Sequence, residues 1–176
     1  CHNKTMNQTY LSIILPVYNE ARVIKKNLQI IDSYLKVQNF NYEIIVANDG
    51  STDNSVAEIH NSGVNTVLLD FHHNTGKGFV VQQAMLKAQG KFVVFLDADL
   101  ATPITELNKI LQPLEQNLAD IAIGSRAISK KDVDRSWLRA FLGLGFRQLK
   151  TVILGISIFD SQCGFKGFKQ ETIQPI

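Results

Sequence analysis

The chain has 176 residues, 45% of them hydrophobic and 19% charged, with a formal net charge of +2. That composition supports one folded domain with a sizeable core and excludes a disordered chain. No apolar run approaches the roughly 18 residues of a membrane span, and the polar start, residues 1–9, lacks a signal-peptide core.

Residues 11–15 read as a short apolar strand stopped by Pro16. Val23, Ile24, Leu28, Ile31 and Leu35 recur at helical spacing over residues 20–36. A second strand over 42–47 runs into Asn48-Asp49-Gly50-Ser51, and Ser51, Thr52 and Asp53 are capping residues for a helix to about His60. A third strand over 64–69 leads to a polar loop, 72–78, and a helix to about Gln89 that Gly90 closes as a C-cap. The apolar run 91–96 is the fourth strand. Thr102-Pro103 opens a helix over 105–117, and 120–124 is a fifth short strand. Strands alternating with helices predict an α/β fold: a parallel sheet with right-handed crossovers and helices on both faces.

After Gly124 the regularity breaks. Residues 125–135 are polar, and 137–158 are rich in large apolar side chains interleaved with Arg139, Arg147 and Lys150. That is the composition of a helix lying in a membrane interface, and equally of an amphipathic helix completing the core. The segment is basic: Arg126, Lys130, Lys131, Arg135, Arg139, Arg147 and Lys150 stand against Asp132 and Asp134. Beside an acidic body it points to anionic partners, phosphates or a lipid surface; a solvated helix face is the plain alternative. Two isolated cysteines, Cys1 and Cys163, form no disulfide framework and fit a reducing compartment. The sequons at Asn3 and Asn7 read as chance. A start without Met and an end at Ile176, just after a new helix start, read as a fragment or trimmed chain.

Asp97-Ala98-Asp99 is the most informative stretch. Alternation along the fourth strand would put both carboxylates on one face and Ala98 on the other. The carboxyl ends of parallel strands are where ligands bind. Two acids with no neighbouring base need a cation there; hard oxygen ligands favour Mg²⁺ or Mn²⁺ and a phosphorylated substrate. A pair of turn or helix-capping aspartates is the plain alternative. The other polar clusters also end strands, so acids, glycines and cations converge on one rim. A dinucleotide fingerprint is excluded, because Pro16-Val17-Tyr18 stands where its glycines belong. Gly76-Lys77-Gly78 lacks the spacing and the hydroxyl of a P-loop.

Pro16-Val17-Tyr18-Asn19-Glu20, Asn48-Asp49-Gly50-Ser51, Gly76-Lys77-Gly78, Asp97-Ala98-Asp99 and Gly124-Ser125-Arg126, in this order, resemble the family 2 glycosyltransferases. Arg135-Ser136-Trp137-Leu138-Arg139 and the stretch from Asp160 to Phe168, with Gln162, Cys163, Gly164 and Lys166, resemble the dolichyl-phosphate glucosyltransferase branch of the polyprenyl-phosphate glycosyltransferases. The resemblance implies a GT-A (Rossmann-like) fold. It implies a nucleotide-diphosphate sugar donor, UDP-glucose first, a divalent metal, and inversion at the anomeric carbon. It assigns Pro16, Tyr18 and Glu20 to the nucleoside pocket, Val46 and Asn48 to the base, and Asp97, Ala98 and Asp99 to ribose, diphosphate and metal. Asp49 and Lys77 join the donor set, and Arg126 matches an arginine that approaches the phosphates. Arg135, Arg139, Gln162 and Lys166 are the acceptor candidates. Asp97, Asp99 and Arg126 form the catalytic set, and Asp99 and Asp97 the metal set. Two positions depart from the pattern: Asn48 stands where the family usually has Asp, and Ala101 where mannosyl relatives have a Gln ligand.

The expected domain is one GT-A catalytic unit, with a nucleotide-sugar part over about 10–126 and an acceptor- and membrane-facing part over about 127–176. Expected partners are the donor, a polyprenyl phosphate and a membrane surface, with no nucleic acid. The expected place is the cytoplasmic side of a membrane, peripheral or held by segments absent from this chain. Plain readings stand beside several residues: Lys77 as decoration of a glycine-rich turn, Tyr18 as core, His72 and His73 as surface, Cys163 as a small buried residue. Two other functions remain open. Transfer to a sugar hydroxyl would need a base, and a non-catalytic nucleotide-sugar module would need none.

Overall fold

A computed structural model describes residues 8–124 and 164–173. The chain divides into two compact units, residues 1–122 with 164–176 and residues 123–163; the architecture below is that of the first. The basic and apolar stretch after Gly124, including Arg126, Arg135, Arg139 and Gln162, lies outside the described residues.

The elements are β1 (Leu11–Val17), α1 (Ile24–Lys36), β2 (Tyr42–Asp49), α2 (Ser55–His60), β3 (Val67–Phe71), α3 (Lys77–Lys87), β4 (Phe92–Leu96), a 3-10 turn (Ile104–Glu106), α4 (Leu107–Glu115), β5 (Ile121–Ile123) and β6 (Phe165–Lys169). They build a six-stranded sheet in the order β3-β2-β1-β4-β6-β5. β1 pairs in parallel with β2 and β4, and β2 in parallel with β3. Helices cover both faces. Val80, Ala84 and Ala88 at α3 pack on Ile14, Ile45, Ala47 and Val93. Ile110 and Leu114 of α4 close over Gly167 and Val94 on the other face. The apolar stripe of α1, Ile24, Leu28, Ile31 and Leu35, is buried.

Several expected boundaries move. Pro16 does not stop β1, which continues to Val17 in register with β2, Pro16 opposite Ala47. Pairing with β4 has already ended at Ile14, opposite Phe95, so the N–H that proline lacks is not needed by that ladder. The helix expected from Glu20 begins at Ile24, after a turn in which the Glu20 carbonyl accepts from the Val23 and Ile24 N–H groups, both at 3.0 Å. The helix expected from Ser51 begins at Ser55. Gly90 is no C-cap: α3 ends at Lys87 and Ala88 is extended (φ −62°, ψ 137°). A Cβ at Gly90 would lie 2.5 Å from the Ser12 nitrogen, so glycine there serves close strand packing.

The larger correction is β6. It runs antiparallel to β4, Leu96 opposite Phe165 and Phe92 opposite Lys169, and it separates β4 from β5. The sheet is therefore mostly parallel, as expected of the GT-A fold, and β6 is the strand the sequence reading did not assign. Phe165-Lys166-Gly167-Phe168-Lys169 holds two phenylalanines, two lysines and a glycine without regular alternation and is short enough to read as loop.

Candidate functional site

The strand order reverses at β1: the chain leaves it towards β2 and β3, while β4 lies on its other side. Such a switch point opens a crevice at the carboxyl ends of the two strands. A cavity of about 220 Å³ lies there, lined by Pro16, Val17, Tyr18 and Glu20 after β1, Asp49 after β2, Lys77 and Val80 of α3, and Asp97, Ala98 and Asp99 after β4. Most of the residues that the sequence assigned to the donor thus share one wall.

The two aspartates reach it by a route other than strand alternation. β4 ends at Leu96, and Asp97 to Leu100 form a turn closed by the Leu100 N–H to the Asp97 carbonyl at 3.0 Å, with Leu100 at φ 52°. Buried Asn27 of α1 donates from Nδ2 to the Ala98 carbonyl at 2.7 Å and fixes the turn to the helix layer. Asp97 is ion-paired with Lys77. Asp99 is exposed, and its Oδ1 accepts the Ala101 N–H at 2.9 Å. The turn-aspartate alternative is correct for the backbone, and both carboxylates still face the cavity. Lys77 holds a carboxylate and also lies 5.8 Å from the centre of the Phe95 ring. Lys166 lies 5.5 Å from the same ring, which follows from the β4–β6 register that pairs Phe95 with Lys166.

Asp49 lines the cavity, but its role is a clamp. One oxygen accepts the Thr75 N–H at 2.7 Å and its hydroxyl at 3.0 Å; the other accepts the Gly76 N–H at 3.0 Å. A nearly buried carboxylate thereby sets the loop that delivers Lys77. Gly50, at φ +67°, lets the chain pass beneath that loop: a Cβ would fall 2.5 Å from the His73 carbonyl carbon.

The two base-reading candidates do not line the cavity. Val46 is fully buried in β2. Asn48, only 2% exposed, donates from Nδ2 to Asp70 at 2.7 Å and accepts the Ser51 hydroxyl at 2.5 Å. Its amide is occupied by the protein. In the structure these two side chains serve the sheet and its following loop.

A stitched pair of loops holds the nucleoside side of the cavity. Asn19, at φ 55°, accepts the Thr52 N–H at 2.8 Å, while its own N–H donates to the Ser51 hydroxyl at 2.9 Å. The Glu20 and Ala21 N–H groups donate to Ser55 and Asp53 at 2.8 and 3.1 Å. Exposed Tyr18, at 45%, stands on this base. Asn19, Asn27 and Ser55 were not singled out from sequence, because their work is visible only through partners distant in the chain.

Two carboxyls on this side are perturbed. Burial, then the charges of Asp99, Asp53 and Asp97, push Glu20 above the usual carboxylate range. Burial acts upward on Asp53 as well, but hydrogen bonds from the Ser55 hydroxyl and the Ser55 and Ala21 N–H groups outweigh it and hold the carboxyl below its usual value. The sign follows by linkage. A depressed folded-state pKa stabilises above the unfolded value of about 3.9 and loses that stability as pH falls through the folded one. Thermal melts should therefore show a gap between wild type and Asp53→Asn that is constant at neutral pH and closes on acidification below the ordinary carboxylate range. A gap that does not change with pH would exclude this role.

The donor set fits a hard divalent cation. Asp97 and Asp99 offer two carboxylates beside Glu20, whose pKa is raised first by burial and then by the charges of Asp99, Asp53 and Asp97. No group of three or more ligating side chains occurs among the described residues. Magnesium-type sites are commonly built from one or two carboxylates plus substrate phosphates.

A family model described as Glycosyl transferase family 2 matches residues 12–176. The dolichyl-phosphate beta-glucosyltransferase ALG5D of Trichomonas vaginalis is 40% identical, over 93% of this chain and 54% of its own length. The dolichyl-phosphate beta-glucosyltransferase of Saccharomyces cerevisiae is 33% identical, over 96% of this chain and 57% of its own. The chain spans about half the length of the curated relatives it matches. Among solved structures, the Mycobacterium tuberculosis glucosyl-3-phosphoglycerate synthase in complex with Mn²⁺, UDP-glucose and phosphoglyceric acid superposes with a TM-score of 0.68 at 22% identity, covering 93% of this chain and 57% of that one. The mannosyltransferase PcManGT from Pyrobaculum calidifontis, in complex with GDP-mannose and Mn²⁺, gives 0.62 at 20% identity, over 94% and 46%. The fold is that of the GT-A glycosyltransferases.

Proposed function

The chain belongs to glycosyl transferase family 2, and we propose that it carries the donor half of an inverting, metal-dependent hexosyl transfer from a nucleotide-diphosphate sugar, UDP-glucose first, to a polyprenyl phosphate of dolichyl type. One observation carries this reading: two carboxylates and a lysine converge on the crevice between β1 and β4, in a chain whose relatives are named for that reaction.

Pro16 and the exposed Tyr18 ring form the nucleoside wall. Asp97 and Asp99 would hold Mg²⁺ or Mn²⁺, which supplies charge neutralisation for the departing diphosphate. Lys77, released from Asp97, adds a charge-assisted hydrogen bond to the same phosphates. Arg126 is a further candidate for the departing diphosphate; Lys166, beside the ring it shares with Lys77, faces the acceptor phosphate, with Arg135, Arg139 and Gln162 as further candidates. A phosphate monoester, with a second pKa of about 6, is already an anion at neutral pH. Its oxygen attacks the anomeric carbon, the bond to the diphosphate oxygen breaks, and no base is required. Work on a lipid acceptor places the protein at a membrane surface, on its cytoplasmic side. Among the described residues no helix is long and apolar enough to cross a membrane.

Glu20 favours a second reading. A carboxyl with a raised pKa in the cavity wall could serve as base for a sugar hydroxyl. Incubation with radiolabelled UDP- and GDP-sugars, a short polyprenyl phosphate and a set of soluble sugars separates the two. The proposal expects Mn²⁺- or Mg²⁺-dependent label from UDP-glucose in the organic phase. Label only in soluble glycosides would replace the acceptor. Donor that is neither transferred nor hydrolysed would leave a binding module.

A further inference from the structure

We propose that Gly164 is a positioning residue for Asp97, and that its missing side chain is the space in which the Asp97 carboxylate lies. The inference rests on the reading of Asp97 as a metal ligand and adds what places it.

The β4–β6 register pairs Leu96 with Phe165. Asp97 and Gly164 are the residues just beyond that last pair, at the adjoining ends of β4 and β6. A Cβ at Gly164 would fall 2.6 Å from Asp97 Oδ1, with Cγ and Oδ2 nearer still. The carboxylate therefore occupies the space that a Cβ at this position would take. The other crowded glycines face different groups: Gly90 the Ser12 backbone, Gly50 the His73 backbone, Gly167 the α4 side chains. Gly164 instead faces a candidate ligand.

An added methyl group meets the end of a short side chain, not backbone, so rotation of Asp97 can relieve the clash. Gly164→Ala should fold, with Asp97 turned away from residue 164 and from Lys77. Supporting groups behind a metal ligand typically change metal affinity about 10- to 100-fold.

The test is a double-mutant cycle in the full chain. Mn²⁺ affinity in the presence of UDP is measured for wild type, Gly164→Ala, Asp97→Ala and the double variant. Gly164→Ala should weaken Mn²⁺ about tenfold or more and add nothing in the Asp97→Ala background. Gly167→Ala, which loads the α4 core instead, should leave that affinity at the wild-type value. Equal losses in both backgrounds, or wild-type affinity for Gly164→Ala, overturn the inference. Two further readouts do not depend on metal. A crystal structure of Gly164→Ala should show Asp97 displaced, and an unmoved carboxylate overturns the inference. If Gly164→Ala fails to fold, the double variant should recover the fold, because the clashing group is gone; failure of both overturns it. Asp97→Ala with wild-type Mn²⁺ affinity would strike the metal reading, while the displacement of Asp97 still decides the role of Gly164.

Discussion

Asp99→Ala is expected to abolish transfer while leaving the fold intact. The turn that carries Asp99 is closed by the Leu100 N–H on the Asp97 carbonyl and tied down by Asn27 on the Ala98 carbonyl. Truncation therefore costs the turn only the bond from the Ala101 N–H. What it removes is an exposed carboxylate facing the diphosphate. Metal stabilisation of a leaving group is worth several kcal/mol, and about 1.4 kcal/mol is tenfold in rate, so turnover should fall by at least about a hundredfold. Initial rates at saturating Mn²⁺ and donor give the result, with a thermal melt as the control for folding. Turnover near wild type would remove Asp99 from the reaction.

Asn48→Asp, which restores the residue usual in the family, is expected to destabilise this protein. Asn48 and Asp70 are register partners on β2 and β3, and the Asn48 amide donates to the Asp70 carboxylate at 2.7 Å. An aspartate at 48 removes the donor and sets two acceptors against each other at a position only 2% exposed. Leaving a buried polar group unsatisfied costs about 1–3 kcal/mol, more for charged groups, and two carboxylates at this distance can be relieved by sharing a proton. Urea unfolding at pH 7 should therefore show a loss of about 2 kcal/mol. The loss should shrink on acidification, and Asp70→Asn should restore stability by returning a donor to the pair. Asn48→Asp as stable as wild type at pH 7 would contradict this account.

That pair shows where sequence reading stops. A departure from the family at position 48 is visible in the sequence. The partner that compensates it, Asp70, lies 22 residues away on another strand and becomes legible only through register. Elements with a strong period were plain: the α1 stripe and the apolar run of β4 are each set by local burial. The convergence of strand ends followed from the alternation of strands and helices, and it brought Pro16, Tyr18, Glu20, Asp49, Lys77, Asp97, Ala98 and Asp99 to one cavity. β6 was hidden because a five-residue strand with two lysines and a glycine has little periodic signal, and its partners lie 69 to 77 residues earlier in the chain. Missing β6 also hid why the late glycine motif and the aspartate motif belong together: they adjoin the same end of the β4–β6 pairing. The roles of Asp49 and Asn27 were obscured for a related reason. Asp49, a carboxylate at a strand end, read as a donor contact and here holds the loop that carries Lys77, while Asn27, inside α1, gave no local signal that it ties down the aspartate turn.

The central claim is that the crevice between β1 and β4 holds a nucleotide diphosphate through a cation on Asp97 and Asp99. Crystals soaked with UDP and Mn²⁺ test it most directly. The account predicts anomalous density for manganese within coordination distance of Asp97 and Asp99 and of two phosphate oxygens, with Lys77 moved from Asp97 to the diphosphate. Nucleotide bound elsewhere, or Lys77 still paired with Asp97 and no metal beside either carboxylate, would contradict it.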